Sequence, residues 1–477
     1  MSFFTSETIW FLDAYILLIL GYAILIMSSY LILAYLSTKA LRSYLKKNSF
    51  VDYEVLLTSE FAPKLSLIAP AYNEGFTIEE NVKSLLSLNY NNYEVIVVND
   101  GSKDNSMEIL VSTYDLVLTE FEVDLKIETK KVRGIYTSRN SAFKKLIVVD
   151  KENGGKADAL NVGLNIAQNP YVVCIDVDCI LDKDSLLKLA KPFLESHGKR
   201  IIATGGVVRI ANQCVIRNGR LVEVHIPDAI LPRIQVLEYL RAFLLGRMAW
   251  GRLDGLLLIS GAFGAFDKEI ALLSGGYDTK TVGEDMELVV RMRRYMVENK
   301  LPYSVSYIPD PLCWTEAPED FKIFKKQRSR WMRGTIETLT IHKKMFLNPK
   351  YKLLGIVSIP YWTFFEFLAP AIEFIGLIIT LLFIFFGFIN WHFFLLLVLF
   401  VYTFAVFFSV IALFSEEFTY HKYPKQADFF KLLLAAFIEP LYFHPLTVYA
   451  ALVGYKEKIR GTKGWGEMTR KGFTKKE

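Results

Sequence analysis

Hydrophobic positions along the chain fall into three regimes. The first is a continuous apolar run from Thr8 to Leu36, interrupted only by Asp13 and long enough to cross a bilayer as a tilted helix. Lys39, Arg42, Lys46 and Lys47 follow it, whereas Glu7 and Asp13 lie at its other end. This asymmetry predicts an outside N-terminus and a cytosolic continuation. No basic region precedes the run and it exceeds the length of a signal-peptide core, so a cleaved leader is not expected.

The second regime runs from about Tyr53 to Glu319. Short apolar runs ("LSLIAPAY", "YEVIVVND", "YVVCIDVD") alternate with polar helical stretches ("TIEENVKSLLSL", "KDSLLKLAKPFL"). Strands without strict alternation, separated by helices, predict an α/β domain with a largely parallel sheet covered on both faces. Asp100, Asp176 and Asp178 then fall at carboxyl ends of strands, where open α/β sheets bind ligands.

The third regime returns to apolar blocks at residues 353–388, 391–413 and 429–453, followed by a basic tail from Lys456 to Lys476. A cytosolic tail requires an even number of crossings after the catalytic region, whereas three blocks suggest an odd one. Glu366, Pro370 and Glu373 break the first block, and Glu439, Pro440 and Pro445 break the last. One block is therefore expected to lie along the interface or to re-enter. Pro232–Trp250 and Phe321–Leu339 mix apolar residues with arginine, lysine and tryptophan, as helices lying in the headgroup plane do. The resulting division is residues 1–52 (membrane helix and basic linker), 53–320 (catalytic domain), 321–350 (interfacial helix), 351–455 (membrane region) and 456–477 (tail).

Composition narrows the class. Apolar residues make up 52% and charged residues 22% of 477, and mean hydropathy is +0.28, which excludes an ordinary soluble enzyme. A net charge of +5 is too mild for nucleic-acid binding driven by bulk charge. None of Cys174, Cys179, Cys214 and Cys313 falls in a C-x-x-C pair, so neither a zinc site nor a disulfide framework is expected.

Four stretches carry candidate chemistry, each with a plainer alternative. "VVNDGSKDNS" brings Asp100 to a strand-to-helix turn, where Asp, Gly and Ser are also favoured for turn and capping reasons. In "YVVCIDVDC", Asp176 and Asp178 are two apart at a strand end and point to one side. Two adjacent like charges call for neutralisation, and a divalent cation bridging to diphosphate oxygens supplies it. In "NGGKADALN", Gly154 and Gly155 permit close backbone approach and Lys156 offers a cation to a phosphate, while Asp158 is also an ordinary helix-start residue. In "VGEDMELVV", Glu284 and Asp285 are either a capping preference or the general base that transfer onto a hydroxyl needs.

In order, Asp100, the D-x-D at Asp176–Asp178, the G-E-D ending at Asp285 and the Q-x-x-R-W from Gln327 to Trp331 resemble the processive family-2 inverting glycosyltransferases, the synthases of cellulose, chitin, hyaluronan and poly-N-acetylglucosamine. The resemblance spans roughly Lys64 to Gly334 and is nearest to bacterial exopolysaccharide synthases. It implies a GT-A catalytic domain between membrane helices, a UDP-sugar donor (N-acetylglucosamine by overall similarity), a growing polysaccharide acceptor and a Mg2+ or Mn2+ ion. By the same resemblance Ala71, Tyr72, Glu74 and Asp100 hold the uridine, and Lys156 lies near the diphosphate. Asp176 contacts the donor and, with Asp178, the metal. Asp285 is the base, with Glu284 beside it. Gln327, Arg328, Arg330 and Trp331 border the donor diphosphate and the acceptor end of the polymer. Membrane lipids are partners, nucleic acid is not, and accessory membrane or secretion subunits are compatible with the pattern. The expected location is the inner (plasma) membrane.

Two departures stand out: Gly283 occupies the place where many relatives have Thr, and only one span precedes the domain where several relatives have more. The tail "KIRGTKGWGEMTRKGF" places Trp465 between basic residues, either as a gating segment over the donor site or as a basic surface lying on anionic lipid. The competing functions are a non-processive transferase acting on a lipid acceptor and a membrane sensor or scaffold with a degenerate transferase domain.

Overall fold

Runs rich in Val, Ile and Leu form strands where both faces are covered. The structure, a computed structural model, describes residues 6–49, 51–120, 123, 125–195, 198–217 and 219–462. Its strands are Leu65–Ala71 (β1), Tyr93–Asn99 (β2), Leu116–Leu118 (β3), Val132–Ser138 (β4), Leu146–Lys151 (β5), Tyr171–Ile175 (β6), Ile180–Leu181 (β7), Arg200–Ile210 (β8), Val215–Arg217 (β9), Arg220–Glu223 (β10), Phe263–Asp267 (β11) and Tyr303–Thr315 (β12). Ten of them form one sheet in the order β3-β4-β5-β2-β1-β6-β11-β8-β12-β7, and β9 and β10 form a separate hairpin.

The sheet is mixed. It is parallel through β5-β2-β1-β6 and between β8 and β12, whereas β4, β7 and β11 pair antiparallel with their neighbours. The largely parallel sheet expected from the sequence is thus confined to those segments. Continuous apolar runs report burial of both faces, and an antiparallel strand under helices satisfies that equally well. Leu65, Leu67, Ile68, Val95 and Val172 are fully buried. Truncating one of them to Ala costs about 2–5 kcal/mol. Because β1, β2, β5 and β6 run parallel, their carboxyl ends open on one rim, with Ala71 opposite Asn99 and Asn99 opposite Asp150.

Among the described residues, four helices are long and apolar enough to cross a membrane: 14–48, 354–385, 391–417 and 426–459. The first does not give way to a linker after its apolar run. It continues to Asn48 and docks on the domain, where Tyr44 Oη donates to Asp310 (2.5 Å) and Lys47 pairs with Glu195 (2.7 Å). The second is broken by π-turns at Leu354–Ser358 and Trp362–Phe367, beside Pro360 and Pro370, whose missing N–H groups interrupt the α-ladder.

Gln426–Ile459 meets the catalytic unit at both ends. Lys431 pairs with Asp228 (2.9 Å) near its start, and Lys458 pairs with Glu337 (2.8 Å) near its end. Between them Arg241 pairs with Glu439. Trp391–Glu417 returns its C-terminal end to the domain through a buried Arg209–Glu416 ion pair.

The Pro232–Trp250 segment differs from its expectation. It folds as a helix (Ile230–Leu240), a π-turn (Arg241–Arg247) and a short helix (Met248–Arg252). Ile234, Leu237, Phe243, Leu244 and Trp250 are buried. Its apolar residues pack between the sheet and the long apolar helices, so the segment is an internal layer and not an exposed surface helix.

Candidate active site

The rim at the carboxyl ends of β2 and β5 is built around a buried lysine. Lys151, fully buried at the end of β5, pairs with Asp100 (2.5 Å) and Asp158 (2.7 Å). Asp100 also accepts from the Gly154 and Gly155 N–H groups at 3.0 and 2.8 Å. Burial pushes the Asp100 carboxyl above its ordinary value, against the pull of Lys151 and the two amides. Asp100 was expected to hold a uridine. The structure turns its carboxylate onto the 151–155 loop, because a buried acid needs its neutralising partners close by. Gly154 is required there, since a Cβ would lie 2.5 Å from Asp158 Oδ1. Ala71 ends β1 and accepts from the Asp100 N–H (2.9 Å). Tyr72 is exposed beside it, and Glu74 accepts from Thr77 Oγ1 (3.1 Å) and is anchored by Ser106.

Lys156 begins the next helix and reaches across the rim to Asp176, with Glu284 Oε1 at 3.7 Å and the Gly261 carbonyl at 3.5 Å. Burial opposes its charge, but Asp176 and Glu284 outweigh that and raise its pKa above the ordinary lysine value. Asp176, Asp178 and Cys179 bring one ligand atom each within 4.8 Å of one another. The two carboxylates suit a hard divalent cation bound through oxygen, and Asp178 is almost fully buried where such an ion would offset its charge. Cys179 brings a soft sulfur to a set otherwise of hard carboxylate oxygens, and a hydrogen bond with Cys313 together with burial push its thiol up. The carboxylate oxygens fit Mg2+ or Mn2+.

Across the pocket, the Glu284–Glu298 helix presents the G-E-D turn. The Asp285 carboxylate accepts from the Gly261 N–H (3.0 Å) and the Met286 N–H (2.8 Å), which fixes its orientation while leaving it partly exposed. Glu284 is buried, and its carboxyl is pushed up to about 7. Burial is the main cause and Asp285 adds to it, while Lys156 and Arg330 pull it down.

The Phe321–Ile341 helix forms the remaining wall, capped by Asp320 accepting from the Lys322 N–H (2.7 Å). Arg330 reaches Glu284 electrostatically. Arg328 was expected at the donor diphosphate. It is buried in a two-pronged pair with Glu238 (2.8 and 2.5 Å), its guanidinium 4.1 Å from the Trp331 ring centroid. A planar guanidinium matched by a carboxylate fork fixes the wall and sets the angle of Trp331. Trp331 itself is exposed, and Gln327 Oε1 is buried on the same helix without a hydrogen bond. Glu337 ties this helix to the G-E-D turn by accepting from Thr281 Oγ1 (2.8 Å) and the Val282 N–H (3.0 Å).

The structure thus gathers Lys156, Asp176, Asp178, Glu284, Asp285 and Arg330 into one pocket. Lys151, Glu238, Gly261 and Glu337 were not picked out from sequence. Lys151 had one signal, a lysine closing an apolar strand just before the glycines. Gly261 lies in the Gly-spaced run "LLISGAFGAFDKE", which leaves room for a substrate, whereas Glu337 and Glu238 act through contacts 55 and 90 residues away and leave no local trace. Trp465 lies outside the described residues. At their end, Arg333 donates to the Thr462 carbonyl (3.0 Å).

Two family models match this arrangement. "Glycosyl transferase family 2" covers residues 66–146, and "Glycosyl transferase family group 2" covers 171–408, together well over half of the chain. The chain belongs to the family-2 glycosyltransferases. The glycosyltransferase is also similar to the poly-beta-1,6-N-acetyl-D-glucosamine synthases of Staphylococcus epidermidis (30% identical over 276 residues) and Staphylococcus aureus (31% over 278). In both cases 58% of this chain aligns with 55% of the relative, so it spans about half the length of the curated relatives it matches. Among solved structures, the mannosyltransferase PcManGT from Pyrobaculum calidifontis, in complex with GDP-Man and Mn2+, matches 93% of this chain and 99% of its own with a TM-score of 0.52 at 16% identity. That likeness shows a shared GT-A-like fold.

Proposed function

We propose that this membrane glycosyltransferase polymerises a UDP-sugar, best matched by UDP-N-acetylglucosamine, into an extracellular polysaccharide, adding sugars processively at the cytosolic face of the plasma membrane. The observation that carries the reading is the placement of Asp285. Its carboxylate is held by two backbone N–H groups at 3.0 and 2.8 Å and lies at Gly261, where Lys156 also reaches from its contact with Asp176 of the D-x-D. The named relatives, both polysaccharide synthases, support the polymer.

In this mechanism the acceptor hydroxyl attacks the anomeric carbon of the donor in line with the departing diphosphate. Asp285 takes the hydroxyl proton as the new bond forms. Lys156 and Arg330 place positive charge on the leaving-group side, where the electrons of the broken C–O bond collect on UDP. Asp176 and Asp178 would hold the Mg2+ or Mn2+ ion, which when bound neutralises the diphosphate. Trp331 offers an aromatic face to a sugar ring, and Arg328 with Glu238 keeps it in place.

The membrane frame fits a cytosolic domain. The first helix brings the chain in, the 354–385 and 391–417 helices form an out-and-back hairpin, and the 426–459 helix, tied to the domain at both ends, runs along it without crossing. Two crossings after the domain leave the basic tail cytosolic. A polar polymer needs such a protein-lined way out.

Detergent-purified protein incubated with Mn2+ and a panel of UDP-sugars tests the reading. Long product from one sugar is expected, lost in Asp285→Asn. Single-sugar addition to lipid instead would establish the non-processive alternative, and sugar transfer surviving Asp285→Asn would remove Asp285 as the base.

A further inference from the structure

Asp285 lies in the first turn of its helix, directly after residues 281–283, which form neither helix nor strand. The position of the base therefore depends on what holds this turn. Thr281 is buried, and its Oγ1 accepts from the Gly283 N–H (3.1 Å) and donates to Glu337 Oε2 (2.8 Å). The Val282 N–H donates to the same oxygen (3.0 Å). One carboxylate oxygen thus anchors two consecutive residues, four and three positions before the base. Gly334, three residues before Glu337 and on the same helix face, packs against Gly283 and leaves the turn no room on that side.

The other oxygen of Glu337 is held from a different direction. Oε1 pairs with Lys458 Nζ at 2.8 Å, 121 residues later in the chain. Lys458 sits near the end of the 426–459 helix, which presses closely on the Q-x-x-R-W helix. A Cβ on Gly454 would lie 2.8 Å from the Ser329 carbonyl oxygen, and Glu457 pairs with Arg333 (3.3 Å) and accepts from Ser329 Oγ. Further back, Glu439 of the same helix pairs with Arg241 and accepts from Ser409 (2.9 Å) of the 391–417 helix. Contacts therefore run without a break from that helix, through the 426–459 helix and Glu337, to the turn before the base.

As a stabilising contact the Lys458–Glu337 pair is minor, because Lys458 is half-exposed and such pairs contribute little. Its geometry gives it another use. It fixes the rotation of a carboxylate whose second oxygen sets the turn, and transfer is sensitive to small misplacements of the base. We propose that Glu337 and Lys458 are positioning residues for the transfer step. Through Thr281 and Val282 they hold Asp285 against the acceptor hydroxyl, and they make that placement depend on the seat of the 426–459 helix. The inference rests on the glycosyltransferase reading above, with Asp285 as the base. Both residues act through the turn, so substrate binding is left alone and the chemical step responds.

The test uses the full-length enzyme in detergent with Mn2+, UDP-N-acetylglucosamine and N-acetylglucosamine oligosaccharides as added acceptors. Glu337→Gln keeps a carbonyl oxygen for the turn but sets an amide N–H against Lys458, and Lys458→Met removes the cation. Each is expected to lower kcat about fivefold, with donor and acceptor KM within about twofold of the unsubstituted enzyme. The double variant should be no slower than either single one, since both break one link. Lys458→Arg keeps the charge and a donor and should recover most of the loss. Should Glu337→Gln fold poorly, Lys458→Met, on the exposed side of the pair, carries the test together with Lys458→Arg. An unchanged kcat in folded protein, a loss carried by KM, or losses that multiply in the double variant overturn the positioning role alone. No transfer by the unsubstituted enzyme, or unimpaired transfer by Asp285→Asn, overturns the parent reading together with it.

Discussion

Gly283 and Gly334 touch backbone to backbone: a Cβ on Gly283 would lie 2.6 Å from the Gly334 Cα, and one on Gly334 would lie 2.7 Å from the Gly283 Cα. Through this contact the Q-x-x-R-W helix sits directly on the turn that carries Glu284 and Asp285. It also accounts for Gly283 where many relatives resembling this chain have Thr, since the helix could not approach a side chain so closely. Gly334→Ala is expected to destabilise by about 1–3 kcal/mol through overpacking. It should reduce synthesis far more, since a shift near 1 Å at a base can cost on the order of a hundredfold. Thermal midpoint and initial rate, measured on the same preparation, check both.

Glu284 gives the site a pH signature. Its folded pKa, about 7, is raised above the ordinary 4.5. Its contribution to stability is therefore fully present below about pH 4.5 and is lost as pH rises through 7. Glu284→Gln stays neutral throughout. Relative to the unsubstituted enzyme it should gain stability at pH 8, on the order of 3 kcal/mol, and show no gain below about pH 4.5. Thermal midpoints across that range read the difference.

Lys151 should prove structural. Lys151→Met leaves Asp100 and Asp158 buried without their cation, at an expected cost of about 3–5 kcal/mol. Adding Asp100→Asn and Asp158→Asn should restore most of the loss in thermal midpoint. A donor-binding defect with unchanged stability would contradict this assignment.

The cation site can be read without catalysis. Asp178→Asn is expected to weaken Mn2+ binding at least about tenfold in a direct titration followed by electron paramagnetic resonance. Asp184→Asn, in an acid outside the cluster, should leave binding unchanged.

Arg330 and Lys326 separate pocket from surface. Arg330 acts on Glu284, whereas Lys326 is exposed on the same helix. Arg330→Ala should abolish polymer formation and Lys326→Ala should leave it near normal, judged by product on a gel. Equal loss from both would make the motif an interfacial anchor.

The sequence by itself determined the elements whose physics is local. Residues 65–71, 93–99 and 171–175 are strands because their apolar runs bury on both faces, and the membrane helices follow from length and hydropathy alone. The acidic residues fell at strand ends or helix starts because those are the positions that the alternation of strand and helix exposes.

Tertiary structure decided what depended on partners distant in the chain. Strand direction at β4 and β11, the inward turn of Asp100 onto Lys151 and the capture of Arg328 by Glu238 are all of this kind. So is the lie of the 426–459 helix, whose hydropathy permits crossing while its two ends are tied to one domain. A run of residues encodes what each side chain avoids or seeks. Which charge finally neutralises which is set by the whole packed chain, where burial makes every unpaired group too costly to leave unanswered.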